Sequence, residues 1–224
     1  MKQILNILAT ISIALLTACN SANIDKGENK LLYAEQLFIC DSKNGEVVSI
    51  ANPWKKNSIL HEYILSETES TQYNYSSQTN TINIPLKRVI VMTNSHSKLL
   101  VELGLTDHIA GICELEYISD STINARCKSG EITDCGNSLY PNIEKIIELN
   151  PDAILVSPFE DTGYGQLEKL GIPLIECADY METSPLGRAE WCRFYGRLFG
   201  AAQTADTFFN NVETEYNELK KYVA

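Results

Sequence analysis

The chain has 224 residues, of which 44% are hydrophobic and 21% charged, and its formal net charge is −11 at pH 7. This length is sufficient for one or two domains with a sizeable apolar core. Such an acidic balance argues against a nucleic-acid partner and against the docking of a basic patch on anionic lipid.

The first segment of the chain has the features of an export signal. Lys2 precedes an apolar stretch over residues 4–16, which is too short to span a bilayer core of about 30 Å. Small residues and Cys19 follow, as at the end of a secretory signal. An ordinary signal or an apolar N-terminal strand is the alternative. The pattern resembles a bacterial lipobox, which implies a signal peptide over residues 1–18, diacylation of Cys19 and a flexible tether over residues 19–30.

The cysteines after the lipobox allow several disulfide pairings in an exported chain. They are Cys40, Cys113, Cys127, Cys135, Cys177 and Cys192. Cys127 and Cys135 are close enough in sequence to close a small loop and form a candidate disulfide, whereas Cys113 and Cys177 end apolar runs as buried thiols would. No C-x-x-C spacing is present, which argues against a redox motif or a zinc ribbon.

Residues 31–84 alternate short apolar runs with polar turns, which predicts a small β appendage. Asn44 and Gly45 lie between two apolar runs, and this dipeptide is a strong signal for a hairpin. Residues 61–65 predict a further strand. The Ser-, Thr-, Tyr- and Asn-rich segment over residues 68–81 predicts a loop or an edge strand.

From Arg88 the pattern changes to alternating strands and helices, which predicts an α/β lobe over residues 85–180. Unbroken apolar runs predict four parallel strands that are covered on both faces. These runs cover residues 89–92, 109–113, 153–156 and 173–177.

Helix signals separate these strands. We interpret Ser95 as an N-cap and Gly104 as the residue after the end of the first helix. A long loop is expected next, followed by a helix that Asn142 caps and a short helix over residues 165–170.

Two connector helices are predicted over residues 184–224. Ser184 and Pro185 start the first in the favoured way, with a hydroxyl at the cap and proline in the first turn. The second begins near Thr204 and spans about 28 Å. We interpret it as a connector whose apolar side, including Phe208, packs on a further part of the protein.

Several segments resemble the solute-binding proteins of iron-complex and vitamin B12 ABC importers, in a Bacteroides-type lipoprotein version. They are residues 52–54, 85–90, 103–111, 146–154 and 178–191. The resemblance covers residues 31–224 and implies a periplasmic-binding fold, with two lobes joined by a long helix around an iron chelate (siderophore), heme or a cobamide. Family members continue into a second α/β lobe, so we expect an N-terminal half, with the second lobe missing, that on its own binds weakly or not at all.

The resemblance implies a ligand site at the loops that follow the strands, where helix N-termini and backbone groups converge. The candidate ligand-binding residues are Ser95, His96, Tyr117, Asn137, Leu139, Tyr140 and Phe159. Glu160 and Asp161 lie where the family places an acidic contact to the membrane permease. The alternatives are a cap for Ser95, an exposed histidine at His96, partly buried aromatic residues, and a solvated acidic loop.

Other polar residues have ordinary explanations. His61 and His108 have no neighbours at metal-ligand spacing, and we expect both to be surface groups. Glu190 is expected to pair with Arg193 one helical turn away. No metal or cofactor site is predicted.

The chain lacks the motifs of nucleophilic, metal-dependent and phosphate-binding enzymes. We therefore predict a binding protein and not an enzyme. It would be lipid-anchored on the periplasmic face of a bacterial membrane and deliver its ligand to an ABC permease. A scavenging or protein-interaction surface lipoprotein without a transport role is the alternative.

Overall fold

The structure is a computed structural model that describes residues 27–43, 45–68 and 73–223. The predicted signal peptide and Cys19 lie outside the described residues. Within the described ranges, no helix combines the length and the apolar character that a bilayer crossing requires.

The predicted β appendage is a sheet of four strands. Its strands are β1 Leu37–Ser42, β2 Gly45–Ala51, β3 Ile59–Ser66 and β4 Thr79–Asn83. The first three are antiparallel neighbours, and β4 pairs with β3 in parallel. Ser42 pairs with Gly45 across β1 and β2, which confirms the predicted hairpin. β4 is an edge strand, so the edge alternative holds for this part of residues 68–81.

The predicted α/β lobe contains five parallel strands. They are β5 Val89–Val91, β6 Ile109–Ile112, β7 Thr133–Asp134, β8 Ala153–Val156 and β9 Leu174–Glu176. Their order is β7-β6-β5-β8-β9. Every residue of β5, β6, β8 and β9 is buried, which explains their near-continuous apolar sequences. The four predicted strands are confirmed, and the two-residue β7 is an addition.

Alternate residues of this sheet contact different cores. Val91 and Leu155 belong to a core that also includes β1–β3 and the helices near the C-terminus. Ile90 and Ile154 face the other core, together with Ile146. The first sheet therefore shares a hydrophobic core with the lobe.

The helices agree with the sequence in part. They are α1 Asn94–Glu102, α2 Ser121–Ser129, α3 Ile143–Leu149, α4 Pro185–Glu190, α5 Cys192–Leu198 and α6 Ala202–Val223. α2 lies in the segment expected to be a long loop, where Asp120 caps it by accepting the N–H groups of Thr122 and Ile123. The expected helix over residues 165–170 is only a single 3₁₀ turn, Leu167–Lys169.

Three of the four predicted helix caps are confirmed. Asn142 and Ser184 accept backbone N–H groups as predicted. At the end of α1, Gly104 has a φ of +70° and Leu105 N–H donates to Leu100 C=O at 2.8 Å, which completes a Schellman motif. Ser95 is not the N-cap, because α1 begins at Asn94 and Thr93 occupies the cap position.

The C-terminal helices differ from the prediction at one point. The helix expected after Ser184 is interrupted at Trp191, which is fully buried and donates its indole N–H to Glu182 at 2.9 Å. α6 is the long helix that the sequence predicts. Its first half packs through Phe209, whereas Tyr222 near its end is 88% exposed.

Glu190 joins the start of the chain to the helices. Its fully buried carboxylate accepts N–H groups from Leu32 at 3.0 Å, Tyr33 at 2.7 Å and Ala34 at 2.9 Å. The expected ion pair with Arg193 is present at 3.4 Å. The sequence misses the larger role, because the three donors lie more than 150 residues away.

Replacing Glu190 with alanine should destabilise the protein strongly. The change leaves three backbone N–H groups without their acceptor and removes one of the acceptors of Arg193, and we expect a loss of about 2 to 4 kcal/mol in the free energy of unfolding. Urea denaturation measures this quantity. Glu215→Ala, on the exposed side of α6, is the control and should change it by less than about 0.5 kcal/mol. Equal stability of the two variants would contradict the role of Glu190.

Candidate functional site

The strand order of the five-stranded sheet changes direction at β5. The chain leaves β5 towards β6 on one side, whereas β8 pairs with β5 on the other side. The loops after β5 and β8 therefore separate, and sheets of this type bind ligands in the crevice between such loops. A pocket of about 550 Å³ lies at this position.

The wall of this main pocket is apolar and aromatic. The ends of β5 and β8 contribute Thr93 and Ser157, and the segment before α3 contributes residues 138–141. Much of the remaining wall comes from Phe159 and residues 162–167, on the segment after β8. None of the described residues that line the main pocket carries a charged side chain.

Three predicted ligand residues line this pocket. Leu139 is 70% exposed, Tyr140 is 87% exposed and Phe159 is 53% exposed. Exposure of three large apolar side chains around one pocket is unusual for a monomer surface and is typical of a binding site. Of the seven predicted ligand-binding residues, these three line the main pocket.

Hydrogen bonds hold the segment that carries Leu139 and Tyr140. The carboxylate of Glu114 accepts the backbone N–H of Ser138 at 2.8 Å and its hydroxyl at 2.6 Å. Asn137, another predicted ligand residue, is absent from the pocket wall, and its side chain accepts the N–H of Leu139 at 2.8 Å. Asn137 therefore stabilises the conformation of the loop and does not line the pocket.

His96 lies behind the pocket wall. It is fully buried, so the expectation of an exposed histidine is wrong. Its Nε2 is 3.3 Å from the hydroxyl of Ser157, which lines the pocket, and 3.8 Å from the carboxylate of Asp179. Burial lowers the pKa of His96 to about 4, so the ring is neutral at pH 7.

Two other predicted residues lie outside the wall. The hydroxyl of Ser95 is 3.1 Å from that of Thr93, at the start of α1. Tyr117 is 67% exposed on a 3₁₀ turn after β6 and does not line the main pocket.

Glu160 and Asp161, the predicted contacts to a permease, are exposed on the loop after β8. A contact to another protein requires such exposure.

The remaining histidines differ from the expectation of surface groups. His61 has only 13% of its side chain exposed and forms an ion pair with Glu176 of β9. His108 is half-buried and packs at 5.1 Å from the ring of Phe199. Both make tertiary contacts that short-range spacing does not reveal.

All six cysteines in the described part of the chain are free, so the candidate disulfide between Cys127 and Cys135 is absent. Cys113 and Cys177 are buried thiols, and burial raises the pKa of Cys113 to about 12. Among the described residues, no three His, Cys, Asp or Glu side chains are grouped to hold a metal ion.

Sequence reasoning misses part of the pocket wall. Met92 ends the buried run of β5, and Tyr164 lies in a segment with little regular structure. Gly163 and Gly165 flank Tyr164, and this pair of glycines is a turn signal that would have identified the segment as a loop beside the strand ends.

The acidic partner of His96 should make stability depend on pH. Burial raises the pKa of Asp179 from 3.8 to about 6, and Arg188 only partly offsets this. The folded state binds the proton of Asp179 more tightly than the unfolded state does. The stabilising contribution of the protonated carboxyl is therefore lost as the pH rises from 3.8 to about 6.

Asp179→Asn cannot ionise and should lack this loss. Its free energy of unfolding relative to wild type should therefore rise by roughly 2 to 3 kcal/mol between about pH 4 and about pH 7. Urea denaturation of both proteins across this range checks the trend. A difference that does not vary with pH would contradict the raised pKa.

Comparison with known proteins shows a related family. A sequence profile described as "Periplasmic binding protein" matches residues 89–224. An uncharacterised lipoprotein of Methanocaldococcus jannaschii is 29% identical over 212 residues, which cover 84% of this chain and 51% of the relative. The petrobactin-binding protein YclQ of Bacillus subtilis is 27% identical over 141 residues, which cover 60% of this chain and 41% of the relative.

Two solved structures share the fold. The crystal structure of YclQ has a TM-score of 0.53 at 19% identity and covers 78% of this chain and 53% of that chain. The siderophore-binding protein BauB, bound to ferric iron and two acinetobactin molecules, has a TM-score of 0.52 at 24% identity. That match covers 64% of this chain and 50% of the other. The chain thus spans about half the length of the relatives it matches.

Proposed function

Because the chain belongs to the periplasmic binding protein family, we propose that it is part of the substrate-binding component of an ABC importer. The proposed ligand is an iron chelate of the siderophore class, heme or a cobamide. The observation that carries the proposal is the aromatic main pocket at the point where the strand order reverses. The names of YclQ and BauB favour a siderophore within this group.

The pocket wall suits a bulky ligand of mixed polarity. Its volume of about 550 Å³ lies within the range typical of small-molecule sites. Tyr140 and Phe159 offer aromatic faces to the organic shell of a chelate, and the hydroxyls of Thr93 and Ser157 offer a few polar contacts. A hydrogen bond between Ser157 and the buried ring of His96 holds the serine in position. The proposed role is binding and release, without chemistry on the ligand.

We propose that a second lobe in the whole protein closes the pocket from the opposite side. Exposed Leu139 and Tyr140 then contact the ligand on one face and the second lobe on their outer edge. The same lobe would cover the apolar residues in the second half of α6, where Leu219 is 66% exposed. Glu160 and Asp161, exposed beside the pocket, would pair with arginines of the permease.

We further propose that the protein is lipid-anchored through Cys19, on the periplasmic face of a bacterial membrane. The sequence pattern around Cys19 supports this, and the names of the M. jannaschii relatives include the word lipoprotein. A scavenging lipoprotein would share the anchor, and only the ABC component would need the acidic contact to a permease.

Ligand binding should depend on Tyr140. Titration of the chain with gallium-loaded siderophores, zinc protoporphyrin and cyanocobalamin should shift the amide NMR signals of residues 138–140, 157 and 159–163 for one of these classes. We expect a Kd weaker than micromolar, since one lobe encloses only part of the ligand. Tyr140→Ala should weaken this binding by about fivefold, because it removes an aromatic contact of roughly 1 kcal/mol.

Tyr222→Ala is the matched control, because Tyr222 is equally exposed but lies far along α6. This variant should bind as the wild type does. If no ligand of the panel perturbs these signals, or if both tyrosine variants bind alike, the proposed function is wrong.

Cys19→Ser should abolish lipid attachment. Cells that express the wild-type chain with an alkyne-labelled fatty acid should yield a labelled protein in the membrane fraction, because only the cysteine thiol accepts the diacylglyceryl group. The serine variant should be unlabelled, whereas Cys127→Ser should be labelled as the wild type is. Labelling of the Cys19→Ser protein would exclude Cys19 as the anchor.

A further inference from the structure

A second cavity, of about 440 Å³, lies between the first sheet and the α/β lobe. We call it the seam pocket. The first sheet and its loops contribute Trp54, His61 and Tyr75, and the lobe contributes Phe159 and Glu176. The family profile begins at residue 89, so six of the fourteen lining residues come from sequence outside the matched range.

One side of the seam pocket is a buried carboxylate with fixed partners. Glu176 is 3% exposed. One of its oxygens forms an ion pair with His61 Nδ1, and the other accepts the hydroxyl of Tyr164 at 3.1 Å. Burial lowers the pKa of His61, but the hydrogen bond and the charge of Glu176 outweigh this and raise it overall. The geometry therefore makes His61 the direct partner of the Glu176 carboxylate.

Beyond this pair, the lining has an excess of negative charge. Glu160, Asp161 and Glu168 line the seam pocket, and Lys55 is the basic residue that faces them. The main pocket, by contrast, has no charged residue in its described wall. The two pockets share Phe159, Thr162 and Gly163 but offer different chemistry.

The walls of the seam pocket are aromatic as well as acidic. Tyr75 packs at 5.4 Å from the ring of His61 and edge-on at 5.7 Å from Tyr164, while Trp54 and Phe159 complete the lining. A solvated acidic loop would explain the carboxylates alone. It does not explain a cavity that aromatic rings and carboxylates line together.

From this combination we infer that the seam pocket binds an alkylammonium group. The rings attract the cation through their quadrupoles, the carboxylates add Coulomb attraction, and the apolar chain of the ligand contacts Trp54 and Phe159. The inference concerns a site separate from the main pocket and does not depend on the proposed transport function.

The two tryptophans of the chain provide a direct test. Trp54 lines the seam pocket, whereas Trp191 is fully buried elsewhere with its indole N–H bonded to Glu182. Their indole N–H signals can be followed in a proton–nitrogen correlation spectrum and assigned with Trp54→Phe. Addition of n-butylammonium chloride should shift the Trp54 signal saturably and leave the Trp191 signal in place. We expect a millimolar Kd, because the probe has few heavy atoms.

Three comparisons separate this site from non-specific binding. n-Butanol and butyrate, which have the same chain without the positive charge, should not produce the saturable shift. Glu160→Gln combined with Asp161→Asn should weaken n-butylammonium binding about threefold to tenfold. Glu148→Gln combined with Glu218→Gln removes the same charge from exposed helix positions and should leave binding unchanged.

Some outcomes would overturn the inference. These are the absence of a saturable Trp54 shift, an equal response to n-butanol, and equal affinity in both double variants. An unchanged Trp191 signal shows that a variant is folded, so a loss of binding is attributable to the seam pocket. None of these outcomes bears on the main pocket, because the experiment contains no chelate.

Discussion

The parallel pairing of β5 with both β6 and β8 determines where the main pocket forms. Buried on both faces, these strands tolerate only apolar side chains, so polar groups first appear where each strand ends. At that edge the loops of β5 and β8 leave in opposite directions. Thr93 and Ser157 are therefore brought to one wall although they are far apart in sequence.

The second constraint is the attachment of the first sheet. Backbone N–H groups of residues 32–36 have no strand partner there, and the carboxylates of Glu190 and Glu182 accept five of them. The same helical region packs Phe194 against Tyr63 of β3, with ring centroids 6.4 Å apart. The sheet is thus part of the lobe's own core, and the seam pocket is bounded by packed elements on both sides.

The sequence predicts the elements whose signals are local. Unbroken apolar runs identify β5, β6, β8 and β9. The family resemblance adds Tyr140, before the helix that Asn142 caps, and Phe159, after β8, as wall residues. Prediction from the sequence fails where long-range contacts determine the structure. β7 has only two residues, and its pairing with β6 cannot be read from them. If Ser95 capped α1, His96 would begin the helix, but the helix begins at Asn94 and His96 is fully buried.

The contrast between the two pockets constrains the ligand more than either pocket alone. The chain carries a formal charge of −11, and neither the main pocket wall nor its neighbour offers a cluster of basic residues. A highly anionic chelate would lose hydration here without gaining a counter-charge. The described wall therefore favours the neutral or cationic surface of the proposed ligand, and an anionic chelate would need basic residues from elsewhere. The charge of each candidate ligand, more than its volume, therefore decides how well it suits this pocket wall.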